Sequence, residues 1–115
     1  MTQEEKELLL KDLCSRLPYG VKCTDLRHGD SKITEVNTED GLVYCYNFDE
    51  YVKVEDCRLY LRPMSTMTEE ERKELSYYEN SVQITDFYYS HHIDCRFIIE
   101  KGLAIEAPEN MYKMS

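Results

Sequence analysis

The chain has no tryptophan, only four glycines and only three prolines. With so little glycine it carries no G-x-x-x-x-G-K-[ST] loop, no G-x-G-x-x-G fingerprint and no G-x-S-x-G elbow. Backbone cradles for phosphate and the strained nucleophile turn of serine hydrolases are therefore excluded. No window reaches the ~18 consecutive apolar residues of a membrane span. The opening Met1-Thr2-Gln3-Glu4-Glu5-Lys6 has no basic stretch followed by an apolar run, so no secretion signal is read. Cations are scarce: 14 Lys and Arg against 23 Asp and Glu leave a formal charge of -9. Such a field repels phosphate backbones and argues against nucleic acid and anionic membranes as partners. Close-spaced cysteine pairs are also missing. Cys14, Cys23, Cys45, Cys57 and Cys95 include no C-x-x-C, and an odd count without a leader reads as reduced, mostly buried thiols of a cytoplasmic protein.

What is present suits one compact α+β domain over 1–115. Hydrophobic residues make up 42% of the chain, enough for a real core despite 32% charged residues. Thr2-Gln3-Glu4-Glu5 is a capping box, and Leu9, Leu10, Leu13 and Leu17 recur at helical spacing, with Asp12 read on the outer side. This predicts a helix over 3–16, stopped by Pro18-Tyr19-Gly20. From Val21 the period becomes two. Runs at 21–26, 32–36, 42–46, 51–54 and 58–61 predict a small curved antiparallel sheet of four or five short strands, with barrel-like closure as an option. Asp40-Gly41 is a hairpin signal. Thr68 to Glu71 forms a second capping box, opening a helix over 69–79. Thr85 is read as the start of a third helix. Asp94 is read as capping a fourth, short helical turn that runs through Ile98 and Ile99 to Gly102, before an apolar strand and Pro108. The leucine face of the first helix, with Val21, Ile33, Val36, Val43, Val52, Leu59, Leu61, Ile98, Ile99, Leu103 and Ile105, is the expected core. The tail 109–115 is expected to fray.

Chemistry is sparse. His91 and Cys95 stand four apart and His92 lies beside them, but no second pair completes a four-ligand zinc site. Sequence adjacency of a thiol and an imidazole supplies no orienting third group either. No catalytic residue, cofactor or metal site is expected. Ile98-Ile99-Glu100-Lys101-Gly102-Leu103-Ala104-Ile105 resembles a winged helix-turn-helix recognition helix running into its wing. Yet the same string is ordinary helix termination, and only Arg96 would reach a phosphate there. The chain has ten tyrosines, with doublets at Tyr77-Tyr78 and Tyr88-Tyr89. Neighbours on a helix point ~100° apart, so one of each doublet should pack and the other reach outward, as interface tyrosines do.

Three segments together carry a resemblance: 5–21 (Glu5-Lys6-Glu7 to Tyr19-Gly20-Val21), 60–71 (Tyr60-Leu61-Arg62-Pro63 to Glu69-Glu70-Glu71), and His91-His92 through Gly102-Leu103-Ala104-Ile105-Glu106-Ala107-Pro108 to Met111-Tyr112. The combination resembles a family of small uncharacterised proteins of gut Bacteroidales genomes and their prophages. That implies a phage or prophage setting and brings no activity, cofactor or catalytic residue. The chain departs from the pattern at Arg96-Phe97, where Arg-Gly would be expected.

The resulting expectation is a non-enzymatic protein-interaction module acting on a host or phage protein. Its candidate surface is Glu69, Glu70, Glu71, Glu74, Tyr77, Tyr78, Tyr88, Tyr89, His91 and His92. One alternative is an acidic mimic of nucleic acid that inhibits a host defence or DNA-binding protein through the 69–74 carboxylates. The other is a small metal protein or enzyme using His91, His92 and Cys95.

Overall fold

The computed structural model describes residues 1–25 and 27–112. Helix α1 runs over Gln3–Arg16, with Thr2 and Glu5 forming the reciprocal capping box. A 3-10 turn at 17–19 and Gly20 (φ +72°) deliver the chain to the sheet. The strands are β1 (Lys22–Asp25), β2 (Gly29–Asn37), β3 (Leu42–Cys45), β4 (Glu50–Lys53) and β5 (Cys57–Leu61). Helices α2 (Glu69–Leu75) and α3 (Ser81–Ser90) follow, and β6 (Ala104–Glu106) closes the set. No helix among the described residues is long and apolar enough to cross a membrane.

The sheet has six strands in the order β4-β3-β2-β1-β5-β6. It is α+β as the alternation predicts, but it is mixed and open. The sixth strand runs parallel to β5, pairing Leu59 with Ala104 and Leu61 with Glu106. A parallel neighbour requires a crossover, and here α2 and α3 lie within it.

The link between β4 and β5 shapes everything else. Only residues 54–56 join them, a reach of roughly 14 Å from Lys53 to Cys57. In a flat sheet the four steps from β4 to β5 would span about 19 Å. The sheet must therefore curl until its β4 and β5 sides approach, stopping short of closure. A register shift in β2 between Ile33 and Glu35 supplies the local bend. Alternate residues then point into the concave side, where Leu9, Leu10 and Leu13 of α1 meet Val21, Ile33, Val43, Val52, Leu59 and Leu61. Val36, Ile99 and Ile105 stand half-buried rather than inside.

Three local expectations are corrected. The third helix starts at Ser81 and is capped by Asn80, whose side chain accepts from Gln83 N; Thr85 sits within it. The second helix stops at Leu75. After α3 the chain makes turns rather than a fourth helix, although Asp94 does act as the foreseen cap, its carboxylate accepting from Ile98 N (2.9 Å) and Ile99 N (3.0 Å). Leu26 and residues 113–115 of the expected fraying tail lie outside the described residues. Tyr112 is held: its hydroxyl donates to Tyr60 O and accepts from Lys22 N, both at 2.7 Å.

The Asp40-Gly41 turn leads to a first testable outcome. Gly41 has φ +67°, and a Cβ there would meet Lys6 Cε at 2.6 Å. The lysine tip can move aside, so the backbone sets the penalty. Gly41→Ala should cost about 1–2 kcal/mol and Gly41→Asn less, both read from urea midpoints.

Candidate interaction groove and buried clusters

Arg62, just past β5, organises the end of the molecule that carries α2 and α3. Its N–H donates to His92 O and its carbonyl accepts from Asp94 N, both at 2.8 Å. Its guanidinium forks onto Glu71 at 2.7 and 2.8 Å and donates to the carbonyls of Thr66 (3.0 Å) and His91 (3.3 Å). Glu71 also accepts from Thr68 N in the capping box and lies 3.0 Å from His91 Nδ1. The Arg62 hydrogen bonds hold its carboxyl down at about 2. Of the acidic row expected on α2, Glu71 is thus turned inward. Glu69, Glu70 and Glu74 face solvent, with Glu74 3.8 Å from His91 Nε2.

Between these helices lies a groove of about 360 Å³, lined by Tyr19, Glu74, Tyr78, Gln83, Asp86, Phe87, Ser90 and His91. Phe87 is buried beneath it, 6.1 Å from the Tyr78 ring and 4.3 Å from the His91 ring. Asp86 is exposed, and no ion pair of Asp86 occurs among the described residues. In each tyrosine doublet one member is more buried than the other, although Tyr77 and Tyr78 follow the end of α2 rather than lying on a helix. Tyr78 is half-buried in the groove while Tyr77 is 71% exposed outside it. Tyr89 is buried while Tyr88 is half-buried and edge-on to Phe87. A larger cleft, of about 610 Å³, holds Asp25, Arg27, Asp56 and Arg58. Its charges are engaged locally, with Arg27 3.8 Å from Asp25 and 3.7 Å from Asp56.

His91, His92 and Cys95 do not converge. His91 faces Glu71 and Glu74. His92 is buried and stacks on Tyr112 with ring centroids 3.7 Å apart. The Cys95 thiol is pushed up by burial and feels Arg16 and Asp12 instead. Those last two residues form a cluster the sequence reading misplaced: Asp12, read as outward, is fully buried with Arg16. Arg16 Nε donates to Asp12 at 2.6 Å and Arg16 Nη2 to Ile93 O at 2.8 Å. The Arg16 guanidinium lies 5.0 Å from the centre of the Tyr89 ring, and Arg96 donates to the Tyr89 hydroxyl at 2.8 Å.

A second cluster was missed entirely. Cys23, Cys45 and Cys57, read as isolated thiols, have sulfurs within 4.8 Å of one another, all buried. They come from the paired strands β1 and β5 and from β3, which the curl brings close to them. The available signal was phase: each occupies an inward position of an alternating strand. Hydrogen bonds from Cys23 and Cys57 hold the Cys45 thiol down, and Cys23 is correspondingly pushed up.

Comparison with family models, with curated proteins and with solved structures finds no match to this chain.

Proposed function

We propose that the protein is a non-enzymatic interaction module that receives an arginine or lysine side chain of a partner protein in the groove between α2 and α3. The observation that carries this reading is an aromatic floor, Tyr78 and Phe87, beside exposed carboxylates at Glu74 and Asp86, with Asp86 free of any ion pair among the described residues. An aromatic face and a carboxylate at one place satisfy both the quadrupole and the charge demands of a guanidinium or ammonium group. The surrounding charge of -9 would speed the approach of a basic segment. The Arg62–Glu71 fork braces α2, so the groove is formed before a partner arrives. The phage or prophage setting implied by the three family-like segments makes a host or phage protein the partner.

A peptide array of basic, neutral and acidic sequences tests this. The native protein should retain basic peptides, with retention falling as salt rises. The Glu74→Lys/Asp86→Lys variant should lose at least about tenfold in affinity, the worth of one charge-assisted contact. Equal retention by that variant, or preference for acidic peptides, would refute the reading.

A further inference from the structure

The interior of the curled sheet holds a donor set that the groove reading does not use. The sulfurs of Cys23, Cys45 and Cys57 lie within 4.8 Å of one another. A ligand triangle around an ion with metal–sulfur bonds of ~2.3 Å has edges of roughly 4 Å. Rotamer adjustments of less than an ångström would therefore bring three sulfurs onto one ion. The three positions are fixed by three different strands of one sheet, so the donors are held together by the fold.

We propose that Cys23, Cys45 and Cys57 form a binding site for one soft, thiophilic metal ion, copper(I), held by three sulfur ligands.

The choice of ion follows from ligand type and number. Thiolates select soft ions. Structural zinc takes four ligands, and among the described residues only these three donors converge within 4.8 Å. The nearest carboxylate in register is Asp25, which pairs with Cys57 across the sheet. It is already engaged, accepting from Arg27 N at 2.8 Å and lying 3.3 Å from His28 Nδ1. Copper(I), with a filled d shell, accepts three sulfur donors and needs no fourth. On binding, the ion takes the place of thiol protons, which leave to solvent. No electrons are transferred. Cys45 ends β3 and Cys57 begins β5, while Cys23 lies two residues before the end of β1. The turns at that end carry His28 and Phe48, whose rings stack 4.8 Å apart, so entry requires the two turns to part.

The test uses the whole, fully reduced protein under anaerobic conditions, titrated with copper(I) against a chromophoric copper(I) chelator. One copper per chain should be retained, with an X-ray absorption shell of three sulfurs and no nitrogen or oxygen. The Cys14→Ser/Cys95→Ser variant should bind as the native protein does. Cys23→Ala, Cys45→Ala and Cys57→Ala should each weaken binding by roughly 100-fold or more, since even outer-shell changes cost 10–100-fold. Should an alanine variant fail to fold, the ligand shell of the native protein decides. Loss of all copper to the chelator would overturn the proposal, as would a shell of two sulfurs or one with nitrogen or oxygen. So would loss of binding in Cys14→Ser/Cys95→Ser, undiminished binding in folded alanine variants, or zinc held at these sulfurs in preference to copper(I).

Discussion

Asp12→Ala is expected to lower the unfolding free energy by about 3–5 kcal/mol, the cost of leaving a buried charge without its partner. Asp12 and Arg16 have no exposed side-chain surface, and their bond is 2.6 Å long. The carboxylate also faces Arg96 Nε at 3.4 Å, so its removal leaves two guanidinium groups with no anion between them. Arg16→Met should be milder, because Asp12 would keep Arg96. It would still cost Ile93 O its donor, which Arg16 Nη2 supplies at 2.8 Å. The pair is not an optimised source of stability, because Arg16 Nη1 is buried with no hydrogen-bond partner among the described residues. Asp12→Leu/Arg16→Met should therefore be more stable than Asp12→Ala alone, as exchanging a whole buried ion pair for apolar side chains often is. Urea midpoints at pH 7 with unchanged slopes would show it. A loss below 1 kcal/mol for Asp12→Ala would mean that the carboxylate is not sealed from water.

The misreading of Asp12 marks the boundary of what local pattern reveals. The Thr2–Glu5 and Thr68–Glu71 capping boxes and the Asp40-Gly41 turn were legible because each is completed within a few residues. The start of α3 was misplaced because Asn80 and Thr85 are both competent caps. Only the packing of Phe87 and Tyr89 against the rest of the protein fixes which turn the helix begins on. Asp12 stands i–4 from Arg16 on α1, a spacing that reads as a surface pair. Its burial depends on Tyr89, Ile93 and Arg96, far along the chain. The parallel pairing of β6 was invisible for the same reason, since three residues carry too little pattern to specify a neighbour. The cysteine cluster lay deepest. Its members occupy inward phases that alternation does reveal, but their convergence follows from the short 54–56 link that curls the sheet. In the candidate groove, Tyr78, Glu74 and His91 were anticipated, while Phe87, Asp86 and Tyr19 were not, because their place depends on how α3 lies against α2 and the 17–19 turn.

Stability should also fall by about 3 kcal/mol as pH drops from 6.5 to 4, through His92 alone. The residue follows α3 with φ +60° and is buried. Burial lowers its pKa to about 4, reinforced by the positive charges of Arg16 on α1, Arg62 after β5, neighbouring His91 and Lys22 on β1. Tyr112 covers the other face of the ring without offering charge. Above pH 6.5 the imidazole is neutral both folded and unfolded, so its contribution is complete. Below 6.5 the unfolded chain binds a proton that the folded protein refuses, and stability drops by up to ~1.4 kcal/mol per pH unit until the folded pKa is reached. Glu71 acts in a separate window. With its carboxyl held at about 2, its contribution is complete above the unfolded value near 4.5 and disappears between there and 2. His92→Asn tolerates the left-handed backbone and cannot take up the proton. It should lose stability at pH 7 from the missing stack, yet show a flat profile between pH 6.5 and 4.5 where the native protein slopes. Urea unfolding at pH 7.0, 6.0, 5.0 and 4.5 separates the two effects, because packing shifts every point equally while proton uptake changes the slope. An unchanged slope in His92→Asn would place the titrating group elsewhere, and the Tyr112 stack would then be a contact of a ring already open to protons.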